Sequence, residues 1–196
     1  MVRPGCAPNT TPTITALLCW TPTVIALKQS AMRQKAPSFK PPGKSLSSEI
    51  EMVTVKTRDA AIELLVRFFR EEGFATPRPR IAENFDRMLA DPFCWCAVAT
   101  DGEVAQAVIA VSTVLYVEWG RLGEIGDLYV PPESRRNGLA RRLVEHVKAW
   151  CRAQGCSAVS VTITPAGERR HRLSHFYARL GFVPSDRMSA LTTLDA

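Results

Sequence analysis

Glu124-Ile-Gly-Asp-Leu-Tyr-Val130-Pro-Pro-Glu-Ser-Arg135-Arg-Asn-Gly-Leu-Ala140 carries a strand pattern through a short turn into the glycine-bearing start of a helix. A helix start presents unpaired backbone N–H groups and the positive end of its dipole, here at Gly138, Leu139 and Ala140. Arg135 and Arg136 add positive charge beside them, so the turn is suited to hold an anion of the phosphate type. After it, Leu139, Ala140, Leu143, Val144, Val147, Trp150 and Cys151 recur at helical spacing, leaving one apolar face, and Gly155 ends the run.

Working outward, Ala158 to Thr164 alternates Val159, Val161 and Ile163 with polar residues as a strand does. Leu173, Phe176, Tyr177 and Leu180 then return to helical spacing before Gly181-Phe182. On the N-terminal side, Val53 to Thr57 alternates as a first strand. Ala61, Leu64, Leu65, Phe68 and Phe69 mark one amphipathic helix, and Ile81, Phe85, Met88 and Leu89 a second. Pro77-Arg-Pro79 opens the second helix and Asp91-Pro92 closes it. Phe93 to Ala99 and Glu103 to Val117 read as a hairpin with Asp101-Gly102 at its turn. In the fourth strand Ile125, Leu128 and Val130 cannot share a face under strict alternation. A bulge at Gly126 or Asp127 reconciles them.

The chain has 196 residues and a formal net charge of +6. Arg3, Lys28, Arg33, Lys35, Lys40 and Lys44 precede the first acidic residue, Glu49, and the remaining 19 basic residues balance 19 acidic ones. Residues 1–48 therefore read as a basic, disordered tail or leader, and residues 49–196 as one neutral domain. That balance weakens a reading of the body as a nucleic-acid binder, which needs a basic face, and leaves a local basic patch open. The apolar pieces Ala16 to Trp20 and Val24 to Leu27 are split by Thr21-Pro22-Thr23, too short to span a membrane. A transit peptide, an upstream leader and a start at Met52 all remain open for the tail. The six cysteines (Cys6, Cys19, Cys94, Cys96, Cys151, Cys156) form no C-x-x-C pair, which points to idle or buried thiols in a reducing cytoplasm rather than to a metal site.

Arg135 to Ala140 reads Arg-x-x-Gly-x-Ala, and Phe176-Tyr177-Ala178-Arg179-Leu180-Gly181-Phe182 reads Phe-Tyr-x-x-x-Gly-Phe. With both motifs in this order, the chain resembles the GCN5-related N-acetyltransferase (GNAT) family from about Met52 to the C-terminus. The resemblance implies an α/β (α+β) fold, a mixed, mostly antiparallel central sheet flanked by helices, with strands 4 and 5 splayed apart. It implies acetyl-CoA as cosubstrate, without a metal. Its phosphates would be held by Arg135, Arg136, Asn137, Gly138, Leu139 and Ala140, and its pantetheine arm by the backbone of Leu128, Tyr129 and Val130.

The same resemblance implies direct transfer of the acetyl group to an amine. An alkyl ammonium has a pKa of about 10.4, so a base must remove its proton. Glu124 is the first candidate and Asp127 the second. Tyr177 matches the position that protonates the departing thiolate. Relatives often carry Asn where this chain has Arg170, inside the charged run Glu168-Arg-Arg-His-Arg172, which reads as a solvated loop with His171 and His175 facing solvent. The acceptor is a small molecule such as an aminoglycoside or polyamine if Glu71, Glu72 and Glu118 offer negative charge, or a peptide amine. A non-catalytic acyl-CoA-binding module is the alternative. No membrane or nucleic-acid partner is expected, and a homodimer is allowed by analogy with relatives.

Overall fold

A computed structural model describes residues 48–185 and residue 192. The chain runs β1 (Glu49–Met52), α1 (Arg58–Glu72), α2 (Arg78–Ala90), β2 (Cys94–Asp101), β3 (Val104–Tyr116), β4 (Gly120–Tyr129), a 3-10 turn (Pro132–Ser134), α3 (Leu139–Ala153), β5 (Ala158–Val161), α4 (Pro165–His171) and α5 (Leu173–Ala178). The strands form a single sheet in sequence order, antiparallel throughout except for the parallel β4–β5 pair. This is the mixed, mostly antiparallel sheet anticipated above. No helix among the described residues is long and apolar enough to cross a membrane.

Both faces of the sheet are covered, which explains why β2 and β3 are nearly continuous in apolar residues. Trp95, Ala97, Ala99, Ile109 and Val111 pack with Leu143, Val144 and Val147 of α3. The alternate residues Cys96, Val98, Val108 and Ala110 pack with Ile62, Leu65, Ile81 and Phe85 of α1 and α2. Two cores back to back on one sheet follow from the period of two along a strand. The four cysteines of the described segment are free thiols, and Cys96 and Cys151 are buried. The expected tail lies outside the described residues apart from Ser48. That residue is buried, donates from Oγ to Gln106 Oε1 at 3.1 Å and accepts Arg142 Nη2 at its carbonyl.

Three expectations are corrected. The first strand is Glu49–Met52, not Val53 to Thr57. Thr57 Oγ1 accepts the Thr54 N–H at 2.9 Å and Thr57 N–H returns to Thr54 O, so the threonines that mimic strand alternation close a turn. Met52 pairs with Ala97 as the last residue of β1, so a chain beginning there would lose that edge strand. Next, β5 stops at Val161, because Thr164 caps α4 by accepting Gly167 N–H at 3.0 Å, with Pro165 at the first helical position. Finally, the charged run Glu168 to Arg172 is helical rather than a loop. The chain breaks at Arg172, which takes φ 52°, and Glu168 Oε2 accepts Ser174 N–H at 2.7 Å to start α5. The helix read around Tyr177 is α5, and α4 is an additional one ahead of it.

The bulge in β4 is present. Val111 lies opposite Ile125 and Ala110 opposite Asp127, which leaves Gly126 as the extra residue. The β2–β3 hairpin is also as read, but its turn is Gly102-Glu103 rather than Asp101-Gly102: Asp101 ends β2 opposite Val104, and Gly102 takes φ 60°.

Close packing of α3 on β4 rests on Gly123, where an added Cβ would lie 2.4 Å from Cys151 Sγ. Gly123→Ala should therefore lower the unfolding free energy by about 1–3 kcal/mol. Adding Cys151→Ala should restore a substantial part of that loss, as urea titration of the two single variants and the double variant will read. Simple additivity would contradict the contact.

Candidate active site

β4 and β5 pair only from Leu122↔Ala158 to Ile125↔Val161. Beyond the bulge β4 runs on to Tyr129 without a neighbour on that side, and the backbone groups there have no strand partner. A cavity of about 540 Å³ opens at this divergence. Its walls are the end of α1, β4 from Ile125 to Tyr129 with Val130 after it, the start of α3, the end of β5 and the chain beyond, and α4–α5.

Of the residues singled out in the sequence, Leu128, Tyr129, Val130, Arg135, Arg136, Ala140 and Tyr177 line this cavity. Asn137, Gly138 and Leu139 do not. Leu139 is a core side chain that anchors the helix start, while Asn137 and Gly138 are exposed on the turn. Arg136 and Gly138 both adopt left-handed backbone, φ 67° and 76°, a conformation that costs a non-glycine residue about 1 kcal/mol or more. Arg142 N–H is bonded back to Gly138 O. The Leu139 and Ala140 amides before it have no intrahelical acceptor, and no side chain caps them. No ion pair of Arg136 is found among the described residues. These features fit a phosphate-bearing cosubstrate.

The carboxyl candidates separate. Glu124 lies opposite Ser112, and Asp127 opposite Ala110, so both project from the face of the sheet that α1 and α2 cover. Only Asp127 lines the cavity. Burial, with no cation paired to it among the described residues, pushes its pKa up to about 6. Tyr177, on α5, is buried, and desolvation pushes its phenol up to about 12. It is therefore a protonated donor at neutral pH.

Arg135 and Glu71 are engaged in a strut that the sequence does not reveal. Tyr129 Oη donates to Glu71 Oε1 at 2.5 Å, and Arg135 Nη2 to Glu71 Oε2 at 2.9 Å. Arg135 Nε also donates to Val130 O at 2.8 Å. Burial, followed by the Glu71 hydrogen bond, raises the Tyr129 phenol to about 12. On the opposite wall Arg170 Nη1 donates to Glu71 O at 2.5 Å and stands 3.7 Å from Glu72 Oε1, with His171 Nε2 at 3.6 Å from the same oxygen. The Glu72 side chain is only 8% exposed. Hence Glu72 is not a solvated helix-end acid, and Glu71, though exposed, is bonded through both oxygens; His171 is exposed, as expected, and also borders the cavity. Glu118 sits in the β3–β4 turn, outside the cavity lining. His175 is exposed, as expected.

Sequence reading also missed the aromatic wall. Phe68 packs against Tyr129 at 5.7 Å and edge-on to Phe74 at 6.4 Å between centroids. Phe68 and Phe74 both line the cavity. Phe68 carries a helical signal that reads as core, and Phe74 stands beyond the helix in a segment without periodicity.

With this geometry in hand, comparison with known proteins identifies the family. Residues 58–182 match the model of the acetyltransferase (GNAT) family. The chain belongs to that family. Rice (Oryza sativa subsp. japonica) glucosamine 6-phosphate N-acetyltransferase 1 is 32% identical over 85 residues, which cover 43% of this chain. The match spans about half the length of that relative, 48% of it. Among solved structures, the aminoglycoside 6'-N-acetyltransferase AAC(6')-Ig from Acinetobacter haemolyticus superposes with TM-score 0.62 at 18% identity, over 76% of this chain and 99% of that one. A predicted acetyltransferase from Clostridium acetobutylicum, solved with acetyl-CoA, gives TM-score 0.62 at 18% identity, over 74% of this chain and 96% of that one. At these identities the structural matches establish the GNAT fold.

The raised Asp127 pKa has a thermodynamic signature. The unfolded carboxyl loses its proton near pH 4 and the folded one near pH 6, so between these values the folded state binds more protons. Its contribution to stability is present at low pH and is lost as pH rises through that window, on the order of 3 kcal/mol in all. Asp127→Asn should flatten this fall when unfolding free energy is measured from pH 4 to 7. An unchanged slope would mean that the carboxyl is not desolvated.

Proposed function

We propose that this protein is an acetyl-CoA-dependent N-acetyltransferase that moves the acetyl group directly to the primary amine of a small molecule. The observation that carries the reading is the opening between β4 and β5, which brings an anion-binding helix start, an unpartnered strand edge, a desolvated carboxyl and a buried phenol to one cavity.

Leu139 and Ala140 amides and the Arg136 guanidinium hold the phosphates of the cosubstrate, while Asn137 and Gly138 shape the turn. Arg135 acts at one remove, fixing Val130 and Glu71. Backbone N–H groups of the Leu128 to Val130 edge hold the pantetheine arm and polarise the carbonyl to be attacked. Acetyl-CoA supplies the activated thioester. Asp127 takes one proton of the acceptor ammonium; the neutral nitrogen then bonds to the carbonyl carbon, the carbon–sulfur bond breaks, and the second proton of that nitrogen passes to the departing thiolate to give the coenzyme A thiol. Glu124, on the same face of the sheet but away from the cavity lining, is the second carboxyl candidate. Tyr177 donates to the departing sulfur. Since a thiol has a pKa of about 8.5 and Tyr177 one of about 12, a hydrogen bond to the thiolate is favoured over complete proton transfer.

Steady-state kinetics with product detection by mass spectrometry test this assignment. Asp127→Asn should lower kcat by about a hundred to ten thousand fold and abolish an acid limb near pH 6. Tyr177→Phe should lower kcat about tenfold, the worth of one lost donor. If Glu124→Gln removes the acid limb while Asp127→Asn retains it, the base is Glu124.

A further inference from the structure

The lining of the cavity bears on which amines fit it, an inference that rests on the activity proposed above. A polycation is recognised by several carboxylates free to meet several ammonium groups. Among the described residues three acids line this cavity, Glu71, Glu72 and Asp127. Both oxygens of Glu71 are engaged, one by Tyr129 and the other by Arg135. The Glu72 side chain is 8% exposed and faces Arg170 and His171. Of the three, Asp127 alone has no cationic partner among the described residues, and on the activity proposed above it is where an amine loses its proton.

Beside these acids, on the same end of α1 and the same face of β4, the lining is aromatic. Phe68, Phe74 and Tyr129 form one packed group, and Phe74 keeps 47% of its surface exposed, so it has area left to bury against a ligand. Single-ligand pockets run from about 300 to 1,000 Å³. The 540 Å³ here must accommodate the thioester arm as well as the acceptor, which leaves room for a small body only.

We infer that the acceptor is a small monoamine with a flat apolar or aromatic body, seated against Phe68 and Phe74 with its nitrogen at Asp127, and not a polycationic aminoglycoside or polyamine. One ammonium meets one carboxylate, and the rest of the molecule meets rings. The ion pairs of Glu71 and Glu72 withdraw the negative charge that a second ammonium would need.

The test is a comparison of kcat/KM for phenethylamine, spermidine, kanamycin and glucosamine 6-phosphate at one pH and ionic strength, with acetylated product read by mass spectrometry. Phenethylamine should exceed each of the others by about tenfold or more, the scale of burying one ring face. Phe74→Ala should erase most of that advantage through KM while acetyl-CoA affinity, read by calorimetry, stays within about twofold. In the opposite direction, Arg170→Gln removes the guanidinium that faces Glu72, leaving only His171 beside it, and should raise kcat/KM for spermidine several-fold. Preference of the wild-type protein for spermidine, kanamycin or glucosamine 6-phosphate overturns the inference and leaves the acetyltransferase reading standing. Acetyl-CoA binding without acetylation of any of these amines overturns both.

Discussion

One extra residue in β4 governs the geometry of this molecule. Up to Ile125 the strand is held on both sides, antiparallel to β3 and parallel to β5. At Gly126 it gains a residue over β3, its right-handed twist increases, and the pairing with β5 ends at that same point. The shift in alternation also sends Asp127 to the α1–α2 face and Leu128 to the α3 face, so a titratable group and an apolar wall border the same gap. The count of residues sets this, not the absence of a side chain. A Cβ at Gly126 would meet nothing closer than Ala110 O at 3.9 Å.

A sheet opened in this way exposes backbone groups and two partial cores, and the fold closes round them with ion pairs. Arg135 and Tyr129 fasten Glu71 to β4, while Arg170 and His171 fasten Glu72 to α4, so the last turn of α1 is held from both walls. Each partly exposed pair contributes only about 0.2–1 kcal/mol. Their effect is positional, since they fix where the aromatic residues of α1 stand relative to the bulge. It follows that the first Arg of the Arg-x-x-Gly-x-Ala motif serves here as a strut, and Arg136, in strained left-handed backbone, is left as the cation at the cavity.

What the sequence discloses follows from which interactions are periodic. The apolar faces of α1, α2 and α3 were readable because burial repeats at helical spacing, and the bulge because Ile125, Leu128 and Val130 break the period of two. Val53 to Thr57 misled because β-branched threonines satisfy strand alternation while their hydroxyls close a turn. The run Glu168 to Arg172 misled because five polar residues resemble a solvated loop, although Thr164 and Pro165 ahead of them form a strong helix start. The engagement of Glu71 by Arg135, 64 positions away, and of Glu72 by Arg170 has no local trace, and with it the charge state of the cavity was invisible.

The apolar wall and the carboxyl are linked energetically. A base of pKa about 6 facing an ammonium of about 10.4 must work against a gap of more than four units, about 6 kcal/mol, if the amine keeps its value in water. Desolvation closes that gap from both ends. It raises the carboxyl, as seen at Asp127, and lowers an ammonium held among Phe68, Phe74 and Tyr129. A polycation brought to the same wall would have to desolvate several charges for the deprotonation of one. The features that make Asp127 a competent base therefore disfavour multiply charged acceptors, so on this reading proton transfer and acceptor choice follow from the same burial.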